Sequence, residues 1–361
     1  MGLIIFYTGY QPACHGDNVY GMHGCGGSEI ALIETAQELQ KQGHSVKVFS
    51  PMYRDEHVRQ VNNIDYMNEF DFEAFMQINS VDALIISRYV YLFIAHVLKA
   101  KRIFLWMHDL TFISWFDGFE IPFRGSKLVY NMLPSIEKIV FVSEYQKQNF
   151  EIVSSFVLPE NKCFVIGNGL SNELISKSLS FKQNKIPFSF IWCSNQARGL
   201  YNLARLWPQL SSRIKEEFGI QPTLKICGAP CEPLNIDIEL LSITYADTVT
   251  NYGKITQQNM FDMMTFSHVW FYPTDFHETY CMVAKEAQLA GCICIAPDIG
   301  ALKETIGDLG TIYPENFNDE QIIQVVIETL KKDIQVKDMI SFVSQETWKQ
   351  RASQWEQIIF H

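Results

Sequence analysis

The order of apolar and polar positions predicts strands and helices in turn along the whole chain. Short apolar runs without polar interruption are typical of parallel strands whose sheet is covered on both faces. In the first half the predicted strands are Leu3–Thr8, Ser45–Ser50, Ala83–Ile86, Arg102–Met107, Lys138–Val142 and Cys163–Ile166. A helix follows the first strand, because Leu32, Ala36 and Leu39 recur on one helical face. Ser28 is placed to cap its start and Gly43 to end it.

The same pattern restarts after a polar stretch, Ser171–Lys185, which shows little periodicity and is predicted to be a linker. The strands predicted beyond it are Phe188–Trp192, Leu224–Cys227, Thr248–Tyr252, His268–Tyr272 and Cys292–Ala296. Two such arrays in series predict an α/β chain with two Rossmann-like, doubly wound domains, at residues 1–180 and 186–343. The length of 361 residues agrees, because single cores stop growing at roughly 250–300 residues. Ligands of these sheets bind beyond the carboxyl ends of the strands, so we expect a cleft between the domains.

The last segment, at residues 344–361, predicts a helix of its own. Within Glu346–Phe360 the apolar residues recur at helical spacing: Trp348, Ala352, Trp355 and Ile359. We therefore interpret the two tryptophans of this helix as core anchors.

The composition narrows the classes of function. Hydrophobic residues make up 47% and charged residues 19%, which is typical of a globular protein. The net charge of −11 argues against a nucleic-acid partner and against adhesion to anionic lipid. No membrane span is predicted, because Arg88, His96 and Lys99 are among the polar residues that interrupt the apolar stretch Ala83–Leu110.

Cysteine usage and the first residues predict a cytoplasmic location. The nine cysteines have neither a disulfide framework nor a zinc spacing, so we interpret them as reduced, mostly buried thiols. Met1–Tyr7 lacks the basic start and the long apolar run of a secretory signal. The acids in Asp237–Glu239 have no second acidic cluster to support them, so no metal site is predicted.

Phe271–Gly300 is the most informative stretch for function. Glu278 and Glu286 stand eight positions apart, so on one helix both carboxylates could face the same way. If the helix starts just after Glu278, its unpaired N–H groups point toward this acid, and the N-terminus of a helix that leaves a sheet binds anions. Acids beside such a helix end favour a ligand with both phosphate and hydroxyls, for example a nucleotide sugar. The alternative is a pair of solvated acids on a helix surface, which the apolar neighbours of Glu286 disfavour.

Three further groups of residues lie at or just beyond the ends of predicted strands, where parallel sheets bind their ligands. His108 and Asp109 directly follow an apolar run, at the carboxyl end of a predicted strand. A glycine-dotted loop that ends in Gly26 and Gly27 separates the first strand from its helix, which favours close approach of a phosphate. Arg198 stands before a glycine at a helix start, and its planar fork suits phosphate oxygens. Each of these groups also has an ordinary structural explanation. His108 could be a core histidine, and Asp109 could orient it or cap a helix. The glycines could form a merely flexible turn, and Arg198 could be a surface residue.

Taken together, these segments resemble the retaining glycosyltransferases of family 4, which have the GT-B fold. The resemblance covers nearly the whole chain and is strongest in the second half. Its most specific part is HETYCMVAKEAQLAG, followed by a strand and PDIGALKETI; the supporting pieces are GGSE, HD after a strand, FVSEYQKQNF, IGNGL, RGL, LKICGAP and NYGKI. Each short piece is weak alone, and their order and spacing carry the resemblance.

The resemblance implies a role for each matched residue. Glu286 would hold the ribose hydroxyls, Glu278 the hydroxyls of the donor sugar, and Arg198 the pyrophosphate. His108 would lie near the reacting face of the sugar with Asp109 beside it, so the catalytic set implied is His108, Asp109, Arg198 and Glu278. The other donor contacts implied are Gly26 and Gly27 near the phosphates, Tyr252, Gly253 and Lys254 around the base, Thr279, Tyr280, Cys281, Met282 and Val283 near sugar and phosphate, and Ser194 and Gly228. The last helix would cross back onto the first domain.

Two places depart from the family pattern. The family has a basic pair around the first strand of the second domain, and here Ser194 stands in the first place with Arg198 in the second. One phosphate-binding cation is therefore missing or supplied elsewhere. Thr279 and Cys281 replace glycines of the acid loop, which restricts its backbone.

The predicted function is transfer of a hexosyl group from a nucleoside diphosphate sugar to an acceptor hydroxyl, with retention at the anomeric carbon. The donor is the only small molecule expected, without a metal or a further cofactor. GDP-mannose is the first choice of donor because many members of that family use it, and a UDP-hexose is the alternative. The acceptor, whether glycan, glycoprotein or lipid-linked, stays open, as does the oligomeric state, for which a homodimer is one candidate.

Other functions stay open as well. A different GT-B enzyme, such as a sugar-nucleotide epimerase or a phosphorylase, would share the fold, although no lysine for pyridoxal phosphate is evident. A dehydrogenase would share the doubly wound sheets, but the first loop lacks G-x-G-x-x-G with an acid about 20 residues further on. A catalytically inactive nucleotide-sugar binder gains some support from Ser194.

Overall fold

A computed structural model describes residues 1–9, 26–52, 56–95, 98–116, 119–123, 132–154, 157–180, 185–229 and 236–361. The chain divides into two compact units. Among the described residues, unit 1 holds those up to Gly169 together with Thr347–His361, and unit 2 holds Leu170–Glu346. Each unit has its own parallel sheet with helices packed on it.

Unit 1 is built on an eight-stranded sheet. The strands of this unit are β1 (Leu3–Tyr7), β2 (Ser45–Ser50), β3 (Val58–Val61), β4 (Ile64–Asn68), β5 (Val81–Ser87), β6 (Ala100–Trp106), β7 (Phe112–Phe116), β8 (Phe119–Phe123), β9 (Lys138–Phe141) and β10 (Cys163–Val165). The order across the sheet is β10-β9-β6-β5-β1-β2-β4-β3, parallel except for β3, which runs antiparallel to β4. β7 and β8 pair with each other as a separate antiparallel ribbon. The helices that follow the strands in this part of the chain are α1 (Gly27–Lys41), α2 (Phe72–Ile78), α3 (Leu92–Ala95) and α4 (Glu144–Ser154).

The first strand lies in the middle of this sheet. β1 runs between β2 and β5, so that Ile4 is opposite Val46 on one side and opposite Ala83 on the other. All three residues are buried, as expected for apolar runs covered on both faces. The strand order reverses between β1 and β5, because the chain continues to one side through β2 and β4 and to the other through β5 and β6. Ligands of a doubly wound sheet bind beyond the carboxyl ends at such a reversal.

Unit 2 has a six-stranded parallel sheet. Its strands are β11 (Ile186–Cys193), β12 (Thr223–Cys227), β13 (Val249–Gly253), β14 (Ser267–Phe271), β15 (Ile293–Pro297) and β16 (Thr311–Tyr313). The order is β13-β12-β11-β14-β15-β16, so the reversal lies between β11 and β14. The helices are α5 (Asn172–Ser180), α6 (Leu200–Phe218), α7 (Ile236–Thr244), α8 (Gln257–Phe266), α9 (Met282–Leu289), α10 (Leu302–Ile306), α11 (Asp319–Leu330) and α12 (Val336–Val343). None of the helices in the described ranges combines the length and the apolar character that crossing a bilayer requires.

The strands predicted from apolar runs are confirmed, with ends that differ by one or two residues in most cases. The strands that were not predicted are short or lie at an edge: β3, β4, β7, β8 and β16. β4 alternates between buried and half-buried positions, and every residue of β3 is exposed or half-buried. Neither strand therefore carries the continuous apolar run that marks a central parallel strand.

The predicted linker is wrong for Asn172–Ser180, which form α5. Leu174 and Ser178 are buried, and Ile175 packs beside them against the core of unit 2. The Ser178 hydroxyl donates a hydrogen bond to the carbonyl oxygen of Leu289 at 2.5 Å. Because a serine occupies a buried position while the apolar Leu179 is exposed, the sequence does not show the clean apolar stripe that would have indicated the helix.

The predicted last helix is confirmed as α13 (Trp348–Phe360), which packs on α1 within unit 1. Its buried residues are those indicated by the helical spacing: Trp348, Ala352, Trp355 and Ile359. The ring of Trp355 meets Trp106 of β6 edge-on, with centroids 5.1 Å apart. Arg102 donates a hydrogen bond to the carbonyl oxygen of Ile359 at 2.9 Å. Both tryptophans of α13 are thus core anchors, as interpreted from the sequence.

Candidate active site

A polar cluster begins where the strand order of unit 2 reverses, between β11 and β14. Ser194 follows β11 and Tyr272 follows β14, both at the carboxyl end of the sheet. Their hydroxyl oxygens are 3.2 Å apart and share a hydrogen bond. Gly228 follows β12, and a Cβ atom on it would lie only 1.6 Å from the carbonyl oxygen of Ser194. The missing side chain at Gly228 therefore lets the ends of β11 and β12 come together.

Glu278 is the centre of this cluster. The residue is buried, with 6% of its surface exposed, and its Oε1 accepts a hydrogen bond from the Tyr272 hydroxyl at 2.8 Å. Burial and the nearby charge of Glu278 raise the pKa of Tyr272 well above its ordinary value, so the phenol stays protonated and donates. Arg198 reaches the same carboxylate, with its Nη1 3.2 Å from each oxygen. The alternative of a solvated acid is therefore wrong for Glu278, since a buried charge needs such partners.

Arg198 is held by the turn that leads into α6. Gly199 is the N-cap of α6 and has a φ of 86°, and the Thr274 hydroxyl donates to the carbonyl oxygen of Arg198 at 3.0 Å. The guanidinium carbon lies 4.2 Å from the centroid of the Phe276 ring, a stacking that planar cations favour. The side chain remains 40% exposed, so a ligand can reach it. The structure thus brings Arg198 and Glu278 together, two of the residues that the sequence indicated.

The backbone of the acid loop is fixed from a neighbouring turn. The Ala301 N–H donates to the carbonyl oxygen of Glu278 at 2.7 Å, and the Thr305 hydroxyl donates to the carbonyl oxygen of Tyr280. Gly300 has a φ of 60°, and a Cβ atom there would lie 2.5 Å from the Glu278 nitrogen. A residue with a side chain at position 300 would therefore push the acid loop away.

Cys281 ends this loop as the N-cap of α9, with a φ of 69°. Such left-handed backbone costs a residue with a side chain about 1–2 kcal/mol. Cys281 therefore keeps a conformation that glycine, its counterpart in the family pattern, would adopt freely. Met282 and Val283 follow in the first turn of α9, where backbone N–H groups have no partner within the helix and can bind an anion. Thr279 lies half-buried in the same loop.

Glu278 and Glu286 do not share a helix, so the eight-residue spacing does not place the two carboxylates on one helical face; the helix starts just after Glu278 instead. α9 begins at Met282, which leaves Glu278 in the preceding loop and places Glu286 alone on the helix. The left-handed Cys281 separates the two segments. The sequence gives no sign of this turn because neither glycine nor proline marks it.

Glu286 is the second buried acid, with 3% of its surface exposed. Gln257, the first residue of α8, donates its side-chain N–H to Oε1 of Glu286 at 2.5 Å. Burial raises the pKa of Glu286 to about 7, so the carboxyl group is partly protonated at neutral pH. Hydroxyl donors placed against it would favour the charged form and lower this pKa. The solvated-acid alternative is wrong here too, and the sequence did not single out Gln257, whose only signal is its place just after NYGKI.

The predicted base contacts lie at the carboxyl end of β13, two strands from β11. Tyr252 is 43% exposed, and Lys254 is exposed as well. Gly253 has a φ of 62°, and its carbonyl oxygen accepts a hydrogen bond from the Gly228 N–H at 2.8 Å. Two strand spacings separate these residues from the end of β11 by about 10 Å. The predicted contacts of base and phosphate thus lie along one edge of the sheet.

Unit 1 carries its own polar cluster at the carboxyl edge of its sheet. Arg88 follows β5, and the turn of His108 and Asp109 follows the neighbouring strand β6. Arg88 forms a two-pronged ion pair with Asp109, Nε to Oδ2 at 2.6 Å and Nη2 to Oδ1 at 2.8 Å. Its Nη1 donates to the Ser28 hydroxyl on α1 at 3.0 Å. The sequence did not single out Arg88, although this residue follows an apolar strand as directly as His108 does.

His108 and Asp109 are both half-buried. The ring of His108 lies against Trp106, with centroids 4.8 Å apart. Burial and the charge of Arg88 hold the pKa of His108 well below its ordinary value, so the imidazole is neutral at pH 7. The carbonyl oxygen of Asp109 accepts a hydrogen bond from the side-chain N–H of Gln146 at 2.9 Å. Asp109 is therefore anchored through its backbone as well as through its carboxylate.

Gly26 and Gly27 lie at the start of α1. Gly26 is the N-cap, with extended backbone, and Gly27 is the first helical residue; both are exposed. Ser28 was predicted to be the cap, which is wrong, because the helix begins ahead of it. This early start leaves the Ser28 hydroxyl free to donate to Oε1 of Glu29 at 3.0 Å. Of the other glycines in this loop, Gly9 is described, whereas Gly16, Gly21 and Gly24 lie outside the described residues.

The cysteines that the structure describes are free thiols: Cys163, Cys193, Cys227, Cys281, Cys292 and Cys294. Burial raises the pKa of Cys193, Cys281 and Cys294 well above the ordinary value, which makes these thiols poor nucleophiles at neutral pH. Within the described ranges, no group of three or more histidine, cysteine, aspartate and glutamate side chains is arranged to hold a metal ion.

Solved structures with this architecture match almost the whole chain. AviGT4, a glycosyltransferase involved in avilamycin A biosynthesis, is 13% identical with a TM-score of 0.69, over 99% of this chain and 97% of its own. Sucrose-phosphate synthase from Thermosynechococcus elongatus is 15% identical with a TM-score of 0.72, over 99% and 98%. The catalytic domain of starch synthase IV from Arabidopsis thaliana, bound to ADP and acarbose, is 12% identical with a TM-score of 0.64, over 99% and 98%. No family model matches the sequence, and no curated protein matches it either. The chain has the GT-B fold, built from two Rossmann-like units, as the sequence predicted.

Proposed function

We propose that this chain is a glycosyltransferase that moves a hexosyl group from a nucleoside diphosphate sugar to an acceptor hydroxyl. The observation that carries the proposal is the pairing of Arg198 with the buried Glu278 at the strand reversal of unit 2, next to the N-terminus of α9. A cation and helix N–H groups suit a diphosphate, and a carboxylate suits sugar hydroxyls. The GT-B fold adds support, as does the ADP bound to the similar starch synthase IV structure.

The predicted donor contacts follow one edge of unit 2. Tyr252, Gly253 and Lys254 would flank the base, Glu286 would accept hydrogen bonds from the ribose, and Arg198 would contact the pyrophosphate. The burial of Glu286 supports the ribose role, because a carboxyl group with a pKa of about 7 gains from hydroxyl donors. The exposure of Arg198 supports contact with phosphate, because the guanidinium remains accessible beside its ion pair.

Charge separation is the difficult part of such a transfer. An oxocarbenium-like sugar forms while negative charge builds on the departing diphosphate, and each preorganised donor aimed at that charge contributes roughly 2.7–4 kcal/mol. Arg198 and the first turn of α9 are such donors in unit 2. We propose that they act without a metal ion, and we propose His108 and Asp109 of unit 1 as contacts of the donor sugar.

Retention of configuration is proposed through attack on the face from which the diphosphate leaves, with the diphosphate accepting the acceptor's proton. A double displacement would need an acid free to act as the nucleophile. Glu278 is an unsuitable nucleophile because both of its oxygens lie 3.2 Å from Nη1 of Arg198 and one also accepts from Tyr272. Glu286 is engaged with Gln257.

The donor is best identified by binding. GDP-mannose, our first choice, would be titrated by calorimetry against UDP-glucose, UDP-N-acetylglucosamine and ADP-glucose, with Glu286→Gln as the matched variant. We expect one donor to bind the native chain and to lose affinity strongly in the variant. Slow release of nucleoside diphosphate without an acceptor, unchanged by a chelator, would support a metal-independent transferase. Lack of binding by every donor would refute the proposal.

A catalytically inactive nucleotide-sugar binder is the second candidate. The observation in its favour is Ser194, which stands in the place of a cation and is engaged with Tyr272. The same experiment separates the two functions, because an inactive binder would bind a donor tightly and release no nucleoside diphosphate. A sugar-nucleotide epimerase would instead return a changed sugar still attached to its nucleotide.

A further inference from the structure

Arg88 has an unusual backbone for an arginine. It is the first residue after β5 and has a φ of 65°, a left-handed conformation that costs a residue with a side chain about 1–2 kcal/mol. Its N–H donates to the carbonyl oxygen of Trp106 at 3.0 Å, at the end of the neighbouring strand β6. Strain of this kind persists only where surrounding contacts impose it, and it concentrates at functional sites.

The side chain of Arg88 joins three segments that are distant in sequence. It leaves β5, pairs with Asp109 beyond β6 through two nitrogens, and donates to Ser28 on α1 through the third. Its side chain is 12% exposed, and that of Asp109 is 22% exposed. Arg59 offers a comparison within unit 1: it also contacts a carboxylate through two nitrogens, that of Glu56 at 2.6 and 3.1 Å, but it is 36% exposed and its partner is three residues away.

The position of Arg88 carries an electrostatic cost that neighbouring carboxylates offset, Glu29 on α1 and above all Asp109. Ser28 lies in the first turn of α1, where the helix dipole presents positive potential and repels a cation. The carboxylate of Asp109 compensates for this, since a two-pronged pair with an arginine is among the strongest contacts between side chains. The fork therefore fixes Asp109, and with it the neighbouring His108, relative to α1 and β5.

We propose that Arg88 is a positioning residue of the candidate active site: its fork fixes the turn of His108 and Asp109 relative to α1 and β5. Among the described residues, Arg88 from β5 and Asp109 itself face this turn, the Glu29 carboxylate on α1 shares the Ser28 hydroxyl with Arg88, and Trp106 covers the ring from β6. A neutral imidazole accepts one hydrogen bond and donates one. The consequence rests on the proposed function: His108 would bind a sugar hydroxyl, and it would not donate a proton to the leaving diphosphate.

The electrostatic part can be tested without any substrate. Histidine-labelled protein is titrated between about pH 5 and 8 by NMR, and the His108 signals are identified by their loss in His108→Asn. We expect native His108 to stay neutral over this range. Burial is the larger cause of its low pKa and the Arg88 charge the smaller one, so in Arg88→Gln the pKa should rise only part of the way toward its ordinary value, and the His108 signals should move because the turn is no longer held. Arg88→Lys keeps the charge, so His108 should stay neutral there. His108 signals that are the same in Arg88→Gln as in the native chain at every pH would overturn this part of the proposal.

The positioning part is tested by turnover. In Arg88→Gln and in Arg88→Lys, which both lose the fork, we expect kcat to fall on the order of 100-fold, the size of effect that a small misplacement produces. The affinity for nucleoside diphosphate should fall much less than kcat, because Arg198 and the first turn of α9, the main proposed diphosphate contacts, lie in unit 2. Unchanged kcat in both variants would overturn the positioning role.

The matched control is Arg59→Gln, which removes the other two-pronged pair of unit 1 and should leave both readouts unchanged. Thermal unfolding of each variant shows that it is folded. If the native chain proved to transfer no sugar, the proposed function would fail, while the NMR titration would still decide whether Arg88 controls His108. The two failures are therefore distinguishable.

Discussion

Glu286 leads to a prediction that can be worked out from its burial. Its pKa of about 7 lies above the ordinary value of 4.5 because the residue is buried. Between these two pH values the folded chain holds a proton that the unfolded chain has released, so the free energy of unfolding falls as the pH rises. The gap between the two pKa values corresponds to roughly 3 kcal/mol. This loss is absent below about pH 4.5 and complete above about pH 8.

Glu286→Gln removes the ionisable group while it keeps the size of the side chain. At pH 8 we expect the variant to be more stable than the native chain by up to roughly 3 kcal/mol, whereas the two should be close in stability near pH 4.5. Urea unfolding at both pH values measures the difference. Glu216→Gln is the control, because Glu216 is an exposed acid on α6 of the same unit, and it should change stability little at either pH.

Donor binding supplies the functional half of this prediction. Ribose hydroxyls would favour the charged carboxylate, so binding at pH 7 should release up to about half a proton per donor. Calorimetry in two buffers with different enthalpies of ionisation measures that proton. The release should vanish in Glu286→Gln, together with most of the affinity. Unchanged affinity in this variant, with no proton released by the native chain, would refute the assignment of Glu286 to the ribose.

Three further predictions follow from contacts in the two units. Arg198→Lys loses the planar fork and should lower kcat on the order of 100-fold or more with little effect on thermal unfolding; steady-state rates measure this, and an unchanged kcat would remove Arg198 from the mechanism. Gly300→Ala places a Cβ atom 2.5 Å from the Glu278 nitrogen at a φ of 60°, so it should destabilise the chain by about 1–3 kcal/mol and weaken donor binding; calorimetry that found native affinity would show that the acid loop tolerates the change. Trp355→Ala empties a fully buried position and should cost about 3–5 kcal/mol in urea unfolding, and a cost below about 1 kcal/mol would contradict the anchoring role of α13.

The fold could be predicted from the sequence because the evidence for it is local. A central parallel strand such as β6 is buried on both faces over its second half, so the unbroken apolar run Ile103–Met107 indicates it without knowledge of its partners. β4 and β16 lie toward the edges of their sheets, where burial is incomplete, and they lack that signal. α5 was missed for a related reason, because a buried serine interrupts its apolar face.

The candidate site could be predicted only in part. Glu278, Glu286 and Arg198 stood out by spacing, by their neighbours and by the family resemblance. Their partners Tyr272 and Gln257 did not, because a contact such as that between Gln257 and Glu286, 29 residues apart, depends on how α8 packs beside α9. The left-handed turn at Cys281 was hidden for a local reason, since a cysteine carries no preference for that conformation.

The return of α13 has a consequence for how the molecule is made. On the ribosome, unit 2 is synthesised in full before the segment that completes unit 1 emerges. Until then Phe104 and Trp106 lack the tryptophan that later meets them edge-on, at 6.1 and 5.1 Å between ring centroids. A nascent chain that ends near Gly169 would leave this aromatic surface uncovered and prone to aggregate. Unit 1 is therefore synthesised first but completed last. A fragment that ends near Gly169 should be expressed together with α13.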